Sequence, residues 1–460
     1  MSTYVTANPT TGEIEREFDE LTDADVPQIL ARSTKAFASW RATPVAERAQ
    51  LLTRIADAYD ERADELAALI SQEMGKPLTE AQGEVDLSGA IYRWYADNGP
   101  ALLAQEVLDP QGAEESLVET APVGPLVGVM PWNFPYYQVA RFAGPNLMAG
   151  NTIILKHAPI CAASAELMAQ IVHAAGVPED AYINVFATND QIADMIADPR
   201  VQGISLTGSE RAGASVAETA GKNLKKAVLE LGGSDALIVL DDGDLETTAQ
   251  IAATARLSNT GQACNSPKRM IVPAEHVDDF VATVVAVFES AQVGDPMDPD
   301  TTVGPLSSVA ARDTVVEQVQ RAVEQGATLH TGGDAIDGSG AFMRPAVLTG
   351  VTKDMDAYAE EIFGPVAVVY GVDSTDDAVT LANDVSFGLS GSVWSTDIPR
   401  AQQIADQLEV GMAYINEHGT TLPGLPFGGV KRSGFGRELG RWGMGEFVNT
   451  RLRRTSATKK

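Results

Sequence analysis

The fold is decided by Leu126-Val127-Gly128-Val129-Met130 and Thr152-Ile153-Ile154-Leu155, two short apolar runs with a helix-like segment at residues 139–148 between them. Short apolar runs that alternate with helical segments are typical of a doubly wound parallel sheet. The same rhythm continues in predicted strands at 183–186 and 203–206 and in predicted helices at 163–175 and 191–197. We therefore predict an α/β fold with a parallel sheet.

A second α/β unit is predicted from about residue 231 to 420. Its predicted strands lie at 269–272, 366–370 and 412–415, and its predicted helices at 245–257, 277–291 and 309–324. The first unit is preceded by two predicted helices, one at 22–40 after the cap Thr22 and Asp25, and one that opens at Thr43-Pro44. Because 460 residues exceed one ordinary core, two or three domains are expected.

The composition excludes several classes of protein. The chain has 63 acidic and 33 basic residues, a net charge of −30, which argues against binding nucleic acid. No apolar run approaches the roughly 18 residues of a membrane span, and no basic-then-apolar leader opens the chain. Two cysteines form no disulfide framework, so a cytoplasmic location is expected. The dispersed acidic excess indicates adaptation to salt.

Cys264 is the candidate nucleophile. It ends the stretch Ser258-Asn259-Thr260-Gly261-Gln262-Ala263-Cys264, just after a predicted helix. Small and polar neighbours let a substrate approach the sulfur, and a thiolate near a helix end or a cation is reactive. The alternative for a lone cysteine is a small buried hydrophobic residue.

Two further side chains suit the same chemistry. Glu230 lies at the end of a predicted strand before two glycines, where burial would raise its pKa and make it a general base. Asn133 lies in Pro131-Trp132-Asn133-Phe134-Pro135, a rigid turn that can aim an amide at a developing oxyanion. Taken singly, the first could be a solvated acid and the second a simple turn.

Together these motifs resemble the NAD(P)-dependent aldehyde dehydrogenase superfamily. Asn133, Glu230 and Cys264 stand in the superfamily's order with Lys156, Leu206-Thr207-Gly208-Ser209 and Glu361-Ile362-Phe363-Gly364-Pro365. The resemblance runs from residues 8–12 to residues 426–434. Within the superfamily, residues 155–158 and 230–235 look most like a succinate-semialdehyde dehydrogenase branch.

The resemblance implies the aldehyde dehydrogenase fold and its domains. A Rossmann-like NAD(P)-binding domain is expected at 1–106 and 120–230, and a catalytic domain at 231–420. A small oligomerisation arm is expected at 107–119 and 444–460, and residues 421–443 are expected to return to the cofactor domain. A homodimer or homotetramer is therefore expected.

The resemblance also implies the reaction. The Cys264 thiolate attacks an aldehyde to give a thiohemiacetal, whose oxyanion is held by the Asn133 amide and the Cys264 backbone N–H. Oxidation leaves a thioester, which Glu230 hydrolyses by activating water. No metal is implied. A broad short-chain aldehyde dehydrogenase, a CoA-acylating enzyme and a catalytically silent relative are the alternatives.

The cofactor is expected to be NAD or NADP. Where many NAD-preferring relatives carry a glutamate three residues after the lysine, this chain has Pro159, so both cofactors are expected to work. The spacing of Gly208 and Gly213 departs from the usual dinucleotide motif but matches the superfamily's version. The residues expected to bind the cofactor are Trp132, Lys156, Thr207, Gly208, Ser209, Gly213, Leu231, Gly232, Glu361 and Phe363.

Three residues are expected to contact the substrate. Arg141, eight residues after Asn133, matches the arginine that binds the far carboxylate in succinate-semialdehyde dehydrogenases. Ser258 stands where some of those enzymes have a second arginine, and Phe427 matches a residue of the substrate funnel. For Arg141 the alternative is an ordinary solvated side chain.

Overall fold

The computed structural model describes residues 3–240 and 243–456. The ends of the predicted ranges 1–106 and 444–460, and Asp241 and Asp242 of the acidic surface, lie outside the described residues. The chain opens with a β-hairpin, a group of helices and two strands of a small sheet: β1 Val5–Ala7, β2 Ile14–Glu17, α1 Val26–Trp40, α2 Val45–Glu61, α3 Ala63–Met74, α4 Leu78–Leu102, β3 Glu106–Val107 and β4 Glu115–Pro122.

The alternating segment that follows has strands of buried residues joined by helices. Its elements are β5 Pro125–Val129, α5 Pro135–Ala149, β6 Thr152–Lys156, α6 Ala162–Ala174, β7 Tyr182–Asn184, α7 Asn189–Ala197, β8 Gly203–Thr207, α8 Glu210–Lys222 and β9 Lys226–Glu230. β5 to β9 pair in parallel, as the periodicity predicts. The strand predicted at 183–186 begins one residue earlier and ends two residues earlier.

The second unit contains the strands of the larger, seven-stranded sheet. Its elements are β10 Asp235–Val239, α9 Leu245–Leu257, β11 Pro267–Pro273, α10 Val277–Ser290, α11 Val309–Glu324, β12 Thr328–Thr331, β13 Ala346–Thr349, α12 Asp356–Ala359, β14 Val366–Val372, α13 Thr375–Asn383, β15 Phe387–Gly388, β16 Ser390–Trp394, α14 Ile398–Ala405 and β17 Met412–Ile415. The elements that follow it in the chain are β18 Val430–Lys431, β19 Gly434–Phe435, α15 Gly440–Glu446 and β20 Val448–Thr455.

Two large sheets organise the described residues. The order β19-β9-β8-β5-β6-β7 forms the first, and β12-β13-β14-β11-β10-β16-β17 forms the second. In open sheets of this kind, ligands bind outside the carboxyl ends of the parallel strands. Glu230 ends β9 and Lys156 ends β6, so both lie at that edge of the first sheet.

A third, three-stranded sheet has the order β20-β4-β3. Its strands overlap the predicted arm segments: β4 runs from Glu115 to Pro122, Met444 belongs to α15, and the last strand begins at Val448. β19, within residues 421–443, pairs with β9 of the first sheet. Among the described residues, no helix is long and apolar enough to cross a membrane.

Candidate active site

Cys264 follows a tight turn that the structure holds in an unusual backbone conformation. After α9, Asn259 and Thr260 have φ angles of +50° and +54°, a left-handed region in which side chains are disfavoured. At Gly261 any Cβ would collide with the Gly364 carbonyl. The buried Arg256 fixes the turn by donating to Gly261 O at 3.0 Å. Such strain persists where the surroundings over-determine it, often at functional sites.

The Cys264 thiol lines a cavity of about 450 Å³. Burial raises the pKa of this thiol to about 12, although Arg141 and Lys268 oppose the shift. The nearby cations only partly offset the effect of burial, so the protonated thiol is favoured and a base has to remove its proton before it attacks.

The Asn133 amide lies against the nucleophile turn. Its Nδ2 donates to Gln262 O at 3.0 Å, two residues before Cys264. The backbone of the same residue is held as well, since Asn133 O accepts from Asn259 Nδ2 at 2.8 Å and from Lys76 Nζ at 3.0 Å. The turn before α5 and the turn after α9 are thus locked together, with the amide beside the nucleophile.

Glu230 is buried, and neither of its carboxylate oxygens has a hydrogen-bond partner among the described residues. Burial raises its pKa well above the ordinary value, while Arg141 lowers it and Glu438 raises it. Gly428 lets this carboxylate approach closely, since a Cβ there would lie 2.6 Å from Glu230 Oε1. A carboxylate with a raised pKa and free lone pairs has the properties of a general base.

Arg141, which is predicted to bind the far carboxylate of the substrate, pairs with an acid of this chain in the structure. Its side chain is fully buried and its guanidinium forms an ion pair with Glu438. Its remaining N–H groups donate to Tyr137 Oη at 3.1 Å and to Thr207 Oγ1 at 3.0 Å. Arg141 is not among the residues that line the cavity of Cys264. Its guanidinium nevertheless lies over the rings of Tyr137 and Phe427, which do line it, so binding of a substrate carboxylate by Arg141 stays a prediction.

The other two predicted substrate residues line the cavity. Phe427 is buried under the Arg141 guanidinium, whose carbon lies 4.5 Å from the ring centroid. Ser258 is exposed at the cavity mouth, where its hydroxyl hydrogen-bonds to the Glu80 carboxylate. The Ser258 hydroxyl, which stands where some related enzymes have a second arginine, therefore lies beside the Glu80 carboxylate.

A second pocket, of about 260 Å³, lies at the carboxyl edge of the first sheet. Lys156 lines it, and burial lowers the pKa of this lysine. Arg211, on the first turns of α8, lines the same pocket, and the sequence reasoning missed it. Its position within Gly208-Ser209-Glu210-Arg211 was the available signal. Two cations beside an apolar pocket suit the phosphate and the adenine of a dinucleotide, so these residues fit NAD(P).

The predicted phosphate loop caps α8. Ser209 Oγ accepts from Ala212 N at 3.3 Å, and Gly208 N donates to Glu230 O at 2.9 Å. At Gly213 a Cβ would lie 2.6 Å from the Leu231 side chain, so this glycine and Leu231 serve close helix–strand packing. The helix end, which prefers anions, faces the same edge of the sheet as Lys156.

Glu361 joins the cofactor side to the nucleophile. Its Oε1 accepts from Gly233 N at 3.1 Å and lies 3.2 Å from Lys268 Nζ. Gly232 permits this approach, because a Cβ there would collide with Glu361. Lys268, also missed by the sequence reasoning, donates to Cys264 O at 2.7 Å. Trp132 and Phe363, both predicted near the cofactor, pack edge to face with centroids 5.8 Å apart.

Comparisons with known proteins agree with this geometry. The model of the aldehyde dehydrogenase family matches residues 2–452. A succinate-semialdehyde dehydrogenase [NADP(+)] of Deinococcus radiodurans is 52% identical over 458 residues, 99% of this chain and 96% of that protein. One from Mycobacterium avium is 43% identical, over 97% of this chain and 95% of that protein. A solved structure of succinic semialdehyde dehydrogenase from Streptococcus pyogenes in complex with NADP+ has a TM-score of 0.96 and 43% identity, and covers 99% of this chain and 100% of that one.

Proposed function

Since the chain belongs to the aldehyde dehydrogenase family, we propose that it oxidises succinate semialdehyde to succinate, with NADP+ preferred and NAD+ accepted. The observation that carries this proposal is a thiol on the wall of a 450 Å³ cavity, together with a buried carboxylate of raised pKa, Glu230, since the charges of both groups interact with Arg141. Relatives named as succinate-semialdehyde dehydrogenases support the choice of substrate.

The first step is addition of the Cys264 sulfur to the aldehyde carbon, with loss of the thiol proton to a base. The oxyanion of the thiohemiacetal is stabilised by the Asn133 amide and the Cys264 backbone N–H. Losing one such donor commonly costs about 10²–10³ in rate. The strained turn at Asn259 and Thr260 keeps the sulfur and these donors in a fixed relation.

A bound nicotinamide supplies the hydride acceptor for oxidation of the adduct. Lys156, Arg211 and the first turn of α8 would hold its phosphates, and Glu361 its ribose. Glu230 then takes a proton from water, and the hydroxide attacks the thioester carbon. The carbon–sulfur bond breaks, the carboxylic acid leaves, and Cys264 regains its thiol.

The preference for NADP+ rests on charge. Lys156 and Arg211 line the pocket, and position 159 carries proline, so a 2′-phosphate meets two cations. Arg211→Ala should weaken NADP+ binding more than NAD+ binding, and Pro159→Glu should selectively impair NADP+. An unchanged ratio of the two binding constants in both variants would contradict this assignment.

The proposed assembly is a homodimer or homotetramer formed through the three-stranded sheet, which we keep as the oligomerisation arm. Val107 and Leu452 on this sheet are 76% and 63% exposed, although both are apolar. Replacing both by aspartate should lower the mass measured by light scattering. An unchanged mass would remove the sheet from the interface. Cytoplasmic location is proposed from the two free cysteines.

The decisive experiment is a kinetic matrix of aldehydes against NAD+ and NADP+, read by absorbance at 340 nm. Succinate semialdehyde with NADP+ should have the highest kcat/KM, and added CoA should leave the rate unchanged. Cys264→Ser should abolish turnover and keep NADP+ binding. A rate that depends on CoA, or equal kcat/KM values for all short aldehydes, would contradict the proposal.

A further inference from the structure

A buried ion pair lies against residues 131–135, the turn that carries Asn133 and that we call the oxyanion turn. Lys76, just before α4, and Glu84, on the second turn of α4, form this pair, and each side chain is 1% exposed. Both residues line the cavity of Cys264. Two charges are costly to take out of water, and an apolar pair of similar volume is often as stable. Stability alone is therefore a weak reason for these charges at this position.

The Lys76 ammonium holds the oxyanion turn at its centre. Besides pairing with Glu84, it donates to Asn133 O at 3.0 Å and lies 3.7 Å from the Phe134 ring centroid. A charged donor forms stronger hydrogen bonds than a neutral one, and a cation is attracted to the face of an aromatic ring. Lys76 thus contacts two consecutive residues of the turn and fixes the peptide group that joins them.

The Glu84 carboxylate holds the end of the turn, where α5 begins. Its Oε1 accepts from Tyr136 N at 2.8 Å and from Tyr137 N at 3.2 Å, while its Oε2 pairs with Lys76. The N-cap residue of α5, Phe134, offers no side-chain acceptor to these N–H groups. The first N–H groups of a helix need partners and favour a negative charge. Glu84 supplies both from another helix, so the start of α5 is fixed to α4.

The orientation of the Asn133 amide depends on this backbone. Nδ2 carries two N–H groups, and one of them donates to Gln262 O at 3.0 Å. The other N–H can donate to the oxyanion only if the turn keeps its orientation, since a displacement of 1 Å can cost about 10²-fold in rate. The peptide groups that set this orientation are those that Lys76 and Glu84 hold.

We infer that Lys76 and Glu84 are positioning residues, which hold the oxyanion turn so that the Asn133 amide reaches the developing oxyanion. This inference rests on the proposed function and names two residues that act through one of its groups. Neither side chain has to touch the substrate, because their charged atoms bond to each other and to the turn. Their loss should slow the steps that pass through an oxyanion and should change the binding of aldehyde and NADP+ much less.

The test removes the donor to Asn133 O and keeps the cap on α5. A paired variant, Lys76→Met with Glu84→Gln, leaves no buried charge unpaired, and the glutamine oxygen can still accept from the α5 N–H groups. It should lower kcat about tenfold for both succinate semialdehyde and butanal, with little change in KM, a part of the roughly 10²–10³ expected from Asn133→Ala. In the Asn133→Ala background the paired variant should lower kcat by less than about twofold, because the group that it positions is gone.

Two controls separate positioning from a general loss of structure. Alkylation of Cys264 by iodoacetamide passes through no oxyanion, so its rate should stay close to that of the wild type in the paired variant. Glu73→Gln is the matched control, since Glu73 is another buried acid that caps a helix: it accepts from Ala163 N at 2.9 Å and from Ser164 N at 3.0 Å, on the first turn of α6. This variant should lower the melting temperature and leave kcat nearly unchanged.

The melting temperature and NADP+ binding of each variant check that it is folded. Lys76→Arg keeps the charge and gives a second cycle with Asn133→Ala if the paired variant does not fold; its smaller loss in kcat should also vanish in that background. Losses that multiply when the substitutions are combined would overturn the inference, as would no loss in kcat or an alkylation rate that falls in parallel with turnover.

The proposed function fails in a different way. If Asn133→Ala kept the wild-type kcat, the oxyanion role of Asn133 would be wrong and the inference would fall with it. If the wild-type enzyme oxidised butanal but not succinate semialdehyde, the proposed substrate would be wrong, and the same cycle measured with butanal would still decide the roles of Lys76 and Glu84.

Discussion

Glu230 and Glu361 are two acids of the candidate active site, but their surroundings differ. Neither oxygen of Glu230 has a hydrogen-bond partner among the described residues. Glu361 accepts from Gly233 N at 3.1 Å and faces Lys268 Nζ at 3.2 Å. Hydrogen bonds to a carboxylate stabilise its charged form and its position. The unpaired acid is suited to exchanging protons, and the paired acid to holding a ligand.

A cation accompanies each acid, again in a different way. Arg141 forms an ion pair with Glu438, and its charge also lowers the pKa of Glu230. Lys268 contacts Glu361 directly and also donates to Ala263 O at 2.9 Å and Cys264 O at 2.7 Å. The first cation tunes the charge of the base, whereas the second ties the cofactor side to the nucleophile.

The largest effect should come from replacing each of the two acids by its neutral amide. Glu230→Gln removes the base, so steady-state turnover should fall about 10²–10⁴-fold, with a burst of reduced cofactor before it. Glu361→Gln should mainly raise the KM for NADP+, without a burst. Stopped-flow absorbance at 340 nm separates the two. Full steady-state turnover in Glu230→Gln would show that another group activates water.

The next effect is a pair of opposite shifts in pH dependence. Hydrolysis needs ionised Glu230, so the rate falls as pH drops through its raised pKa. Arg141→Gln removes a charge that lowers this pKa and should move the acid limb to higher pH. Glu438→Gln removes a charge that raises it and should move the limb to lower pH. The pH profile of kcat with butanal measures both.

The same Arg141→Gln variant also tests whether Arg141 binds the substrate. If the arginine serves only Glu438, with which it pairs, kcat/KM should fall by similar factors for succinate semialdehyde and butanal. A loss confined to the semialdehyde would show that Arg141 binds its far carboxylate.

Much of the fold could be predicted from periodicity. The helices at 245–257 and 309–324 have the predicted bounds, and the buried residues of each recur on one face. The long helix Leu78–Leu102 could not be recognised, since it is buried on several sides and its pattern is weak. Its Tyr92 packs against Tyr59 at 5.7 Å, a contact that exists only in the folded chain.

The candidate site was predictable where a motif specifies a side chain, and less so where a distant partner decides its orientation. The spacing from Asn133 places Arg141 on α5, but Glu438 determines where the guanidinium points, and no local pattern joins these residues. Lys268 and Arg211 have no motif of their own. Their roles follow from the carbonyls of the nucleophile turn and from the second pocket.

A smaller effect should come from Lys268. Lys268→Met removes the link between Glu361 and the nucleophile turn, so the KM for NADP+ should rise about tenfold, with a smaller change in kcat. The rate of alkylation of Cys264 by iodoacetamide should also become less sensitive to bound NADP+. Lys268→Arg should restore part of both. If only the melting temperature changed, Lys268 would have a structural role alone.

Salt should change the repulsion between exposed acids on the surface but leave the pKa of the buried Glu230 nearly unchanged. A net charge of −30 implies self-repulsion, and at about 1 M salt the Debye length is only about 3 Å, so that repulsion between exposed acids is screened. Glu230 is buried, and its pKa depends on desolvation and on near neighbours that salt does not reach.

We therefore propose that this protein is adapted to salt. Its melting temperature should rise by several degrees between dilute buffer and concentrated KCl, and the acid limb of kcat should stay nearly in place. Scanning calorimetry and pH profiles at both salt concentrations measure the two quantities. A melting temperature that did not rise would contradict the salt adaptation, while an acid limb that moved with salt would show that Glu230 is exposed to solvent ions during turnover.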